Sequence, residues 1–490
     1  MNDRSVYPLG KRRTLVVFAG AMLGMLLAAL NQTIVATALP KIVADLGGME
    51  HYTWVFSAYM LGMTITVPLY GKLSDLYGRR PFFVVGIVLF SAGSVVAGLA
   101  PSMGALIAGR AIQGLGAGGL IPLAIAVICD IIPPRKRGAW QGVTGAVFAL
   151  SSVVGPATGG WIADNASWRW AFFVGLPIGA LALAVIWIGF GASERHERHT
   201  IDYVGALLLT AGTTLGLLAA VWGGVEFPWG SLPIAALFAS SVLALVAFVL
   251  WERRSAEPIL PPALFANRTF AVSQVALFAI GGAMFGTIMF VPLFVQSVQG
   301  ESATSSGAVL TPLMLGIITT SVVAGQIVSR TGHYRPVLLA GPPLMAVGLY
   351  LLTRLGATSS AAETTRDVVI VGLGIGLQMQ TFTVVVQNSV PRRMIGVATA
   401  STQFFRSIGA TAGVTVMGAI VTARLGREAA GAPPGDLAAA IHPAFALGIA
   451  LVLVAFTATL FLPHHELRAN MDERPAPKPA RDELAGEIAA

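Results

Sequence analysis

Charge is scarce in this chain of 490 residues: 11% are Asp, Glu, Lys or Arg, where a soluble protein carries roughly a quarter. Hydrophobic residues make up 55% and the mean hydropathy is +0.76, so too little polar surface exists to cover a set of soluble domains. Cysteine is nearly missing. Cys129 stands alone, which excludes an internal disulfide framework and a cysteine-based metal cluster. No stretch fits Gly-x-x-x-x-Gly-Lys-Ser/Thr, so ATP-driven work would need a separate chain. His196 and His199 sit beside Glu194 and Glu197, and His464-His465 stand near the C-terminal end; neither set makes a full metal shell. No deep histidine–carboxylate cluster or serine–histidine pairing supports an enzyme, and no cofactor is expected.

What the chain has instead is apolar runs of membrane length, about 20 residues each. Fourteen fit: 14–39, 52–70, 82–100, 104–129, 139–163, 169–190, 203–224 and 232–251, then 269–293, 305–328, 337–353, 368–386, 397–422 and 444–462. The fold class is therefore an all-α integral membrane protein. Its net charge of +8 is a matter of topology rather than nucleic-acid binding. With alternating spans, 23 of the 31 Lys and Arg fall on the N-terminal side, six fall on the other, and Arg110 and Arg406 lie within spans. Basic residues favour the cytoplasmic side, which puts both termini in the cytoplasm of a plasma (inner) membrane protein. The tail 463–490, rich in Pro, Ala and charge, reads as disordered.

The chain also repeats itself. Gly114-Leu115-Gly116-Ala117-Gly118 returns as Gly372-Leu373-Gly374-Ile375-Gly376, an offset of 258 that also carries Pro133 to Pro391, Gly155 to Gly413 and Gly160 to Gly418. Gly71, Gly78 and Pro81 answer to Gly325, Gly332 and Pro336 at offsets of 254 to 255. The repeat predicts two parallel six-helix bundles, 14–190 and 269–462, after a short N-terminal tail (1–13). Between them lies a linker, 191–268, with two inserted helices. Parallel repeats of this kind suggest a transporter whose halves rock about a central site.

Several segments resemble the major facilitator superfamily, in particular its 14-helix drug:proton antiporter branch. Gly71-Lys72-Leu73-Ser74-Asp75-Leu76-Tyr77-Gly78-Arg79-Arg80 is similar to the family's loop between helices 2 and 3. The resemblance implies that this loop latches the bundles on the cytoplasmic side, with Gly71, Asp75, Gly78, Arg79 and Arg80 as its working residues. Leu106 to Gly119 resembles the helix-4 motif and contains Arg110 and Gln113. Gly155-Pro156 and Gly159-Gly160 resemble the helix-5 motif of antiporters, and the segment from Trp168 to Gly179 resembles the start of helix 6 in the 14-helix branch. Helix packing alone would also use those glycines. The resemblance implies a monomeric secondary exporter, linked to drug resistance, that moves small amphipathic substrates against protons in contact with membrane lipids. A lipid or lipoconjugate transporter of the same fold is the alternative, with the inserted helices and the helix 9–10 region giving lateral access.

One position departs from the family. Leu30 to Pro40 resembles the branch's helix-1 motif, but Asn31 stands where aspartate is usual. An amide cannot carry a proton. The spans hold no deep carboxylate either: Asp75 is in a loop, Asp130 at the end of helix 4, and Glu226 and Glu301 outside. Either Asp130 or another peripheral carboxylate carries the proton, or transport is uncoupled, or Asn31 replaces an aspartate. An arginine within the membrane needs a partner. Arg110 therefore either lends the cavity a positive surface with Asn31 and Gln32, or is satisfied by Gln113 and backbone carbonyls. Gln378, Gln380, Gln403 and Phe404, with Arg406, are further candidates for the substrate path.

Overall fold

The computed structural model describes residues 11–131, 137–189, 202–224, 226–255, 258–391, 394–425 and 433–463. The side chains of Asp75 and Asp130, the histidine pairs at 196/199 and 464/465, and the tails at either end lie outside the described residues. The first part of the chain comprises α1 (Lys11–Leu46), a single turn η1 (Met49–His51), α2 (Tyr52–Tyr77), α3 (Arg79–Gly98), α4 (Met103–Ile131) and α5 (Arg137–Asn165). The sixth crossing is built from a short α6 (Trp170–Phe173) running into α7 (Gly175–Gly189). Next come α8 (Tyr203–Trp222), α9 (Leu232–Glu252) and a one-turn α10 (Ala263–Ala266). The chain ends with α11 (Arg268–Ser297), α12 (Ala303–Thr331), α13 (Arg335–Leu352), α14 (Ala361–Ser389), α15 (Ile395–Leu425) and α16 (Pro434–Leu460).

Among the described residues 13 helical segments are long and apolar enough to cross a membrane, and the 26-residue α2 completes fourteen crossings. Loops therefore alternate between two ends. One carries the α2–α3 turn, where Gly78 has φ of 90°, a backbone conformation that suits glycine. The opposite end carries η1. In lipid there is little hydrophobic drive between helices, so association depends on close backbone approach at small residues. The repeated glycines supply it, at matching places in the two halves. A Cβ on Gly114 of α4 would strike the Tyr59 carbonyl of α2; one on Gly372 of α14 would strike the Leu313 carbonyl of α12. Gly116 likewise sits on Gly86 and Phe90, and Gly374 on Gly341 and Met345. Gly118 rests on Thr66 and Met63, and Gly376 on Thr320 and Ile317.

The helices α1–α7 pack mainly on one another, as do α11–α16, while α8 and α9 pair together and α8 also touches α2 and α15. The two groups meet mainly through α2, α5, α12 and α15, with α1 also against α11 and α12. These four helices touch near the η1 end and part toward the Gly78 end. Gly160 of α5 is against Ala303 of α12, Gly307 of α12 against Pro156, and Gly418 of α15 against Thr53 of α2. In the other half of the same helices, Gly71, Gly145, Gly325 and Gly396 have nothing within reach of a Cβ. A cleft thus opens toward the Gly78 end.

Overpacking a tight contact costs about 1–3 kcal/mol. Gly372→Val is expected to lower the melting temperature of the detergent-purified protein accordingly. Gly356→Val, where a Cβ meets nothing, is expected to leave it unchanged.

Candidate functional site

Arg110 lies in α4 with 0% of its surface exposed. Its Nε donates to the Val55 carbonyl at 3.0 Å, and Nη1 donates to Asn31 Oδ1 at 2.6 Å and Gln113 Oε1 at 2.8 Å. The guanidinium also stacks 4.1 Å from the ring centroid of Tyr59. Gln113 passes the network on, donating from Nε2 to Ser94 Oγ at 2.7 Å. Helices α1, α2, α3 and α4 are thereby tied by one cation with neutral partners. Arg110 is fully enclosed, Asn31 is committed to it, and Gln32 is buried with Nε2 on Met60 Sδ at 3.2 Å; in this structure the guanidinium is met by Gln113 and a backbone carbonyl together with Asn31. Gln113 is buried in the same network.

In the second bundle the polar candidates divide. Gln378 is buried, its Nε2 on the Gly374 carbonyl at 2.9 Å. Gln380, two residues on and turned by about 200°, is exposed. Phe404 packs against Leu209 of α8 and Phe248 of α9, where the inserted pair meets α15. Gln403 and Arg406 are half-buried on α15, where Arg406 Nη2 donates to Gln403 Oε1. Among the described residues no ion pair reaches Arg110 or Arg406.

At the Gly78 end, Arg79 Nη1 donates to Ser74 Oγ at 2.6 Å, and Arg80 stacks on Trp187 of α7, 4.4 Å from its ring. These contacts stay within the first bundle. Among the described residues, the bonds that join the two bundles are toward the η1 end. Asp164 of α5 accepts from the Thr304 N–H and Oγ1 at 2.6 Å each and from the Ala303 N–H at 3.3 Å, capping α12 from outside it. Lys41 Nζ stands 3.0 Å from the same carboxylate. Gln296 Nε2 of α11 donates to the Thr37 carbonyl at 2.9 Å, Tyr52 Oη to the Met289 carbonyl at 2.9 Å, and Ser57 Oγ and Thr415 Oγ1 share a bond of 3.0 Å. The helix-5 glycines serve this seam. Gly155 and Gly159 sit on Thr33 and Ile34 of α1, bringing α5 close enough for Gly160 to reach Ala303.

Carboxylates are buried at two places just outside the expected spans, near helix ends. Asp367 has a side chain with 0% exposure, bonded through Oδ1 to Arg366 Nε at 2.8 Å and with Oδ2 unpartnered. It was missed because α14 starts seven residues before the hydropathy run, at a capping box formed by Ser360 and Glu363. Asp202 and Glu252 are also buried, where α8 begins and α9 ends. Asp202 Oδ1 accepts from the Gly205 N–H and Trp251 Nε1, at 2.7 Å each, and Glu252 accepts from the Ile259 and Leu260 N–H groups.

A cleft between two glycine-packed bundles with a latched far end is a transporter's architecture, and the sequence agrees. The sequence model of the Major Facilitator Superfamily matches residues 21–414. The chain belongs to the Major Facilitator Superfamily. It is 43% identical over 417 residues to the "Multidrug transporter protein MdtP" of Bacillus subtilis (strain 168), covering 85% of this chain and 76% of that protein. It is 39% identical over 409 residues to "Multidrug resistance protein 3" of the same organism, covering 84% and 80%. Among solved structures, an auto-inhibited POT family peptide transporter superposes with a TM-score of 0.66 at 16% identity, covering 95% of this chain and 99% of that one. This superfamily is one of transporters rather than enzymes.

Two outcomes follow for this superfamily member. Asn31→Leu removes an acceptor from a buried cation and is expected to cost about 1–3 kcal/mol of stability, read as a lower melting temperature. Asp164→Ala removes the α12 cap and is expected to loosen the η1 end. Spin labels on Ser102→Cys and Thr358→Cys, in a Cys129→Ser background, should show a longer-distance population that is smaller with Asp164 in place.

Proposed function

We propose that the protein is a secondary exporter of amphipathic drugs or toxic small molecules that works by alternating access. One observation carries the reading: α2, α5, α12 and α15 meet at one end and part at the other around a cleft. In this reading the chain is a plasma-membrane monomer with both termini in the cytoplasm, and the excess of Lys and Arg on the Gly78 side supports that orientation. In this arrangement the cleft is open inward and the Asp164 latch closes the outside. Substrate enters from the cytoplasmic side, the latch releases, and the Gly71–Arg80 segment, where α2 ends and α3 begins, takes over closure at the other end. The multidrug naming of the two Bacillus relatives supports this substrate class.

Proton antiport belongs to the proposal, but not through position 31. Asn31 cannot release a proton and its oxygen is held by Arg110. Asp367, buried with one free oxygen, is the carboxylate assigned to coupling. Transport of a lipid or lipoconjugate is the second reading. It is favoured by the exposed apolar flank of α5 and α12 toward the Gly78 end, with Val143, Leu150, Val322, Val323 and Ile327.

The test is transport of two amphipathic fluorophores, cationic ethidium and anionic dansylaminooctanoate, in proteoliposomes with and without an imposed pH gradient. Wild type is expected to accumulate at least one of them, and only with the gradient. Asp367→Asn is expected to lose the gradient-driven part while keeping passive exchange. Equal gradient-driven transport by both proteins would remove Asp367 from coupling, and the absence of any transport by wild type would sink the exporter reading.

A further inference from the structure

Two arginines lie within the membrane, and they are treated differently. Arg110 is enclosed by three acceptors and a ring. Arg406, eleven residues into α15, is half-buried, with the neutral Gln403 as its hydrogen-bond partner and no ion pair among the described residues. Gln403 is itself held in place, its Nε2 3.4 Å from the buried Ser407 Oγ. A guanidinium at that depth whose hydrogen-bond partner is neutral has a strong preference for an anion.

The facing wall is α11. Arg406 Cγ packs over Gly281, and side chains in a helix lean toward its N-terminus, which sends the guanidinium back toward the Gly78 end. Seven residues before Gly281, on the same face of α11, lies Gln274. It is 2% exposed and neither Nε2 nor Oε1 has a hydrogen-bond partner. A buried amide left unpaired on both atoms costs about 1–3 kcal/mol per lost group. The same face carries Phe278 and Phe285, both half-buried, and Phe285 meets the ring of Phe56 on α2 at 5.4 Å. The stripe of Gln274, Phe278, Gly281 and Phe285 thus runs from a polar pair to the seam with the first bundle.

We infer that Arg406, Gln403 and Gln274 form the head-group subsite for an amphipathic anion, whose apolar part lies along Phe278 and Phe285. This rests on the exporter reading and names its substrate class: compounds carrying a carboxylate, sulfonate or phosphate. Arg406 supplies the charge, Gln403 orients it, and Gln274 offers an N–H to a second anion oxygen. The anion is the counter-charge that this part of the membrane interior otherwise lacks.

The test uses one fluorophore with three heads: dansylaminooctanoate, its methyl ester, and the matching trimethylammonium compound. Binding is read by fluorescence on the full chain in phosphatidylcholine proteoliposomes, and uptake in the same vesicles. Wild type is expected to bind the carboxylate at least about tenfold more tightly than the ester, the scale of a charge-assisted contact. Arg406→Gln should abolish that preference and leave ester binding unchanged; Arg406→Lys should restore part of it, and Gln274→Leu should weaken only the carboxylate. Equal binding of carboxylate and ester by wild type overturns the subsite. So does an equal loss for all three probes in Arg406→Gln, or an Arg406→Lys variant that melts like wild type yet prefers no anion. Selective binding without uptake would keep the subsite and fail the exporter reading instead. Adding phosphatidylglycerol separates the two sources of such an anion: competition assigns the subsite to a lipid head group, and no competition assigns it to a soluble amphiphile.

Discussion

Close approach of helix backbones at glycine is the constraint on which this structure depends. The lipid tails are as apolar as the side chains, so helices gain little by hiding leucine from them and must gain it by contact. Each bundle is therefore keyed by a three-glycine ridge, in α4 and in α14, that lies against two neighbours. The same device works once more between the bundles, at Gly160, Gly307 and Gly418. These seam contacts are confined to the η1 end. Toward the other end, Gly71, Gly145, Gly325 and Gly396 meet nothing, so the close packing within each bundle is not matched there between the bundles.

Polar groups inside the membrane follow a second rule, that each must find its partner within the protein. Arg110 obeys it without a carboxylate. Three neutral oxygens and the Tyr59 ring share the cation, and Asn31 is one of the three. An aspartate at position 31 would sit against the same nitrogen and turn a dipolar contact into an ion pair. The amide keeps the network intact and gives up titration. Asp164 shows the opposite choice: an acid placed where helix α12 begins, so that the charge meets the N–H groups a helix leaves unpaired.

Much of this was legible in the sequence. Apolar length gave the crossings, and the glycine offsets located the same backbone contacts twice, since Tyr59 and Leu313, or Thr66 and Thr320, are separated by the offset of the earlier motif. Side-chain direction was less visible. Gln378 and Gln380 look alike as candidates, yet one is buried and the other exposed because a helix turns by about 100° per residue. Asp367 was hidden by the hydropathy window, although Ser360-x-x-Glu363 marks the true helix start. Asp164 could not be read at all, because its partners lie 139 and 140 residues away and only folding brings them together.

The inserted pair changes what the cleft can admit. If α8 and α9 stood apart from the bundles, the cleft would be open to lipid on both flanks. Instead α8 lies against α2 and α15, with Leu209 and Phe248 on Phe404, and its first turn is fixed by Asp202, which binds the end of α9 through Trp251. That flank is filled. The other flank, between α5 and α12, stays lined by exposed Val143, Leu150, Val322 and Ile327. Among the described residues the inserted pair thus covers the α2–α15 flank, while the α5–α12 flank keeps its apolar side chains exposed. A wall on one side and an apolar opening on the other suit a protein that takes amphipathic molecules out of the bilayer and turns their polar ends toward α11 and α15.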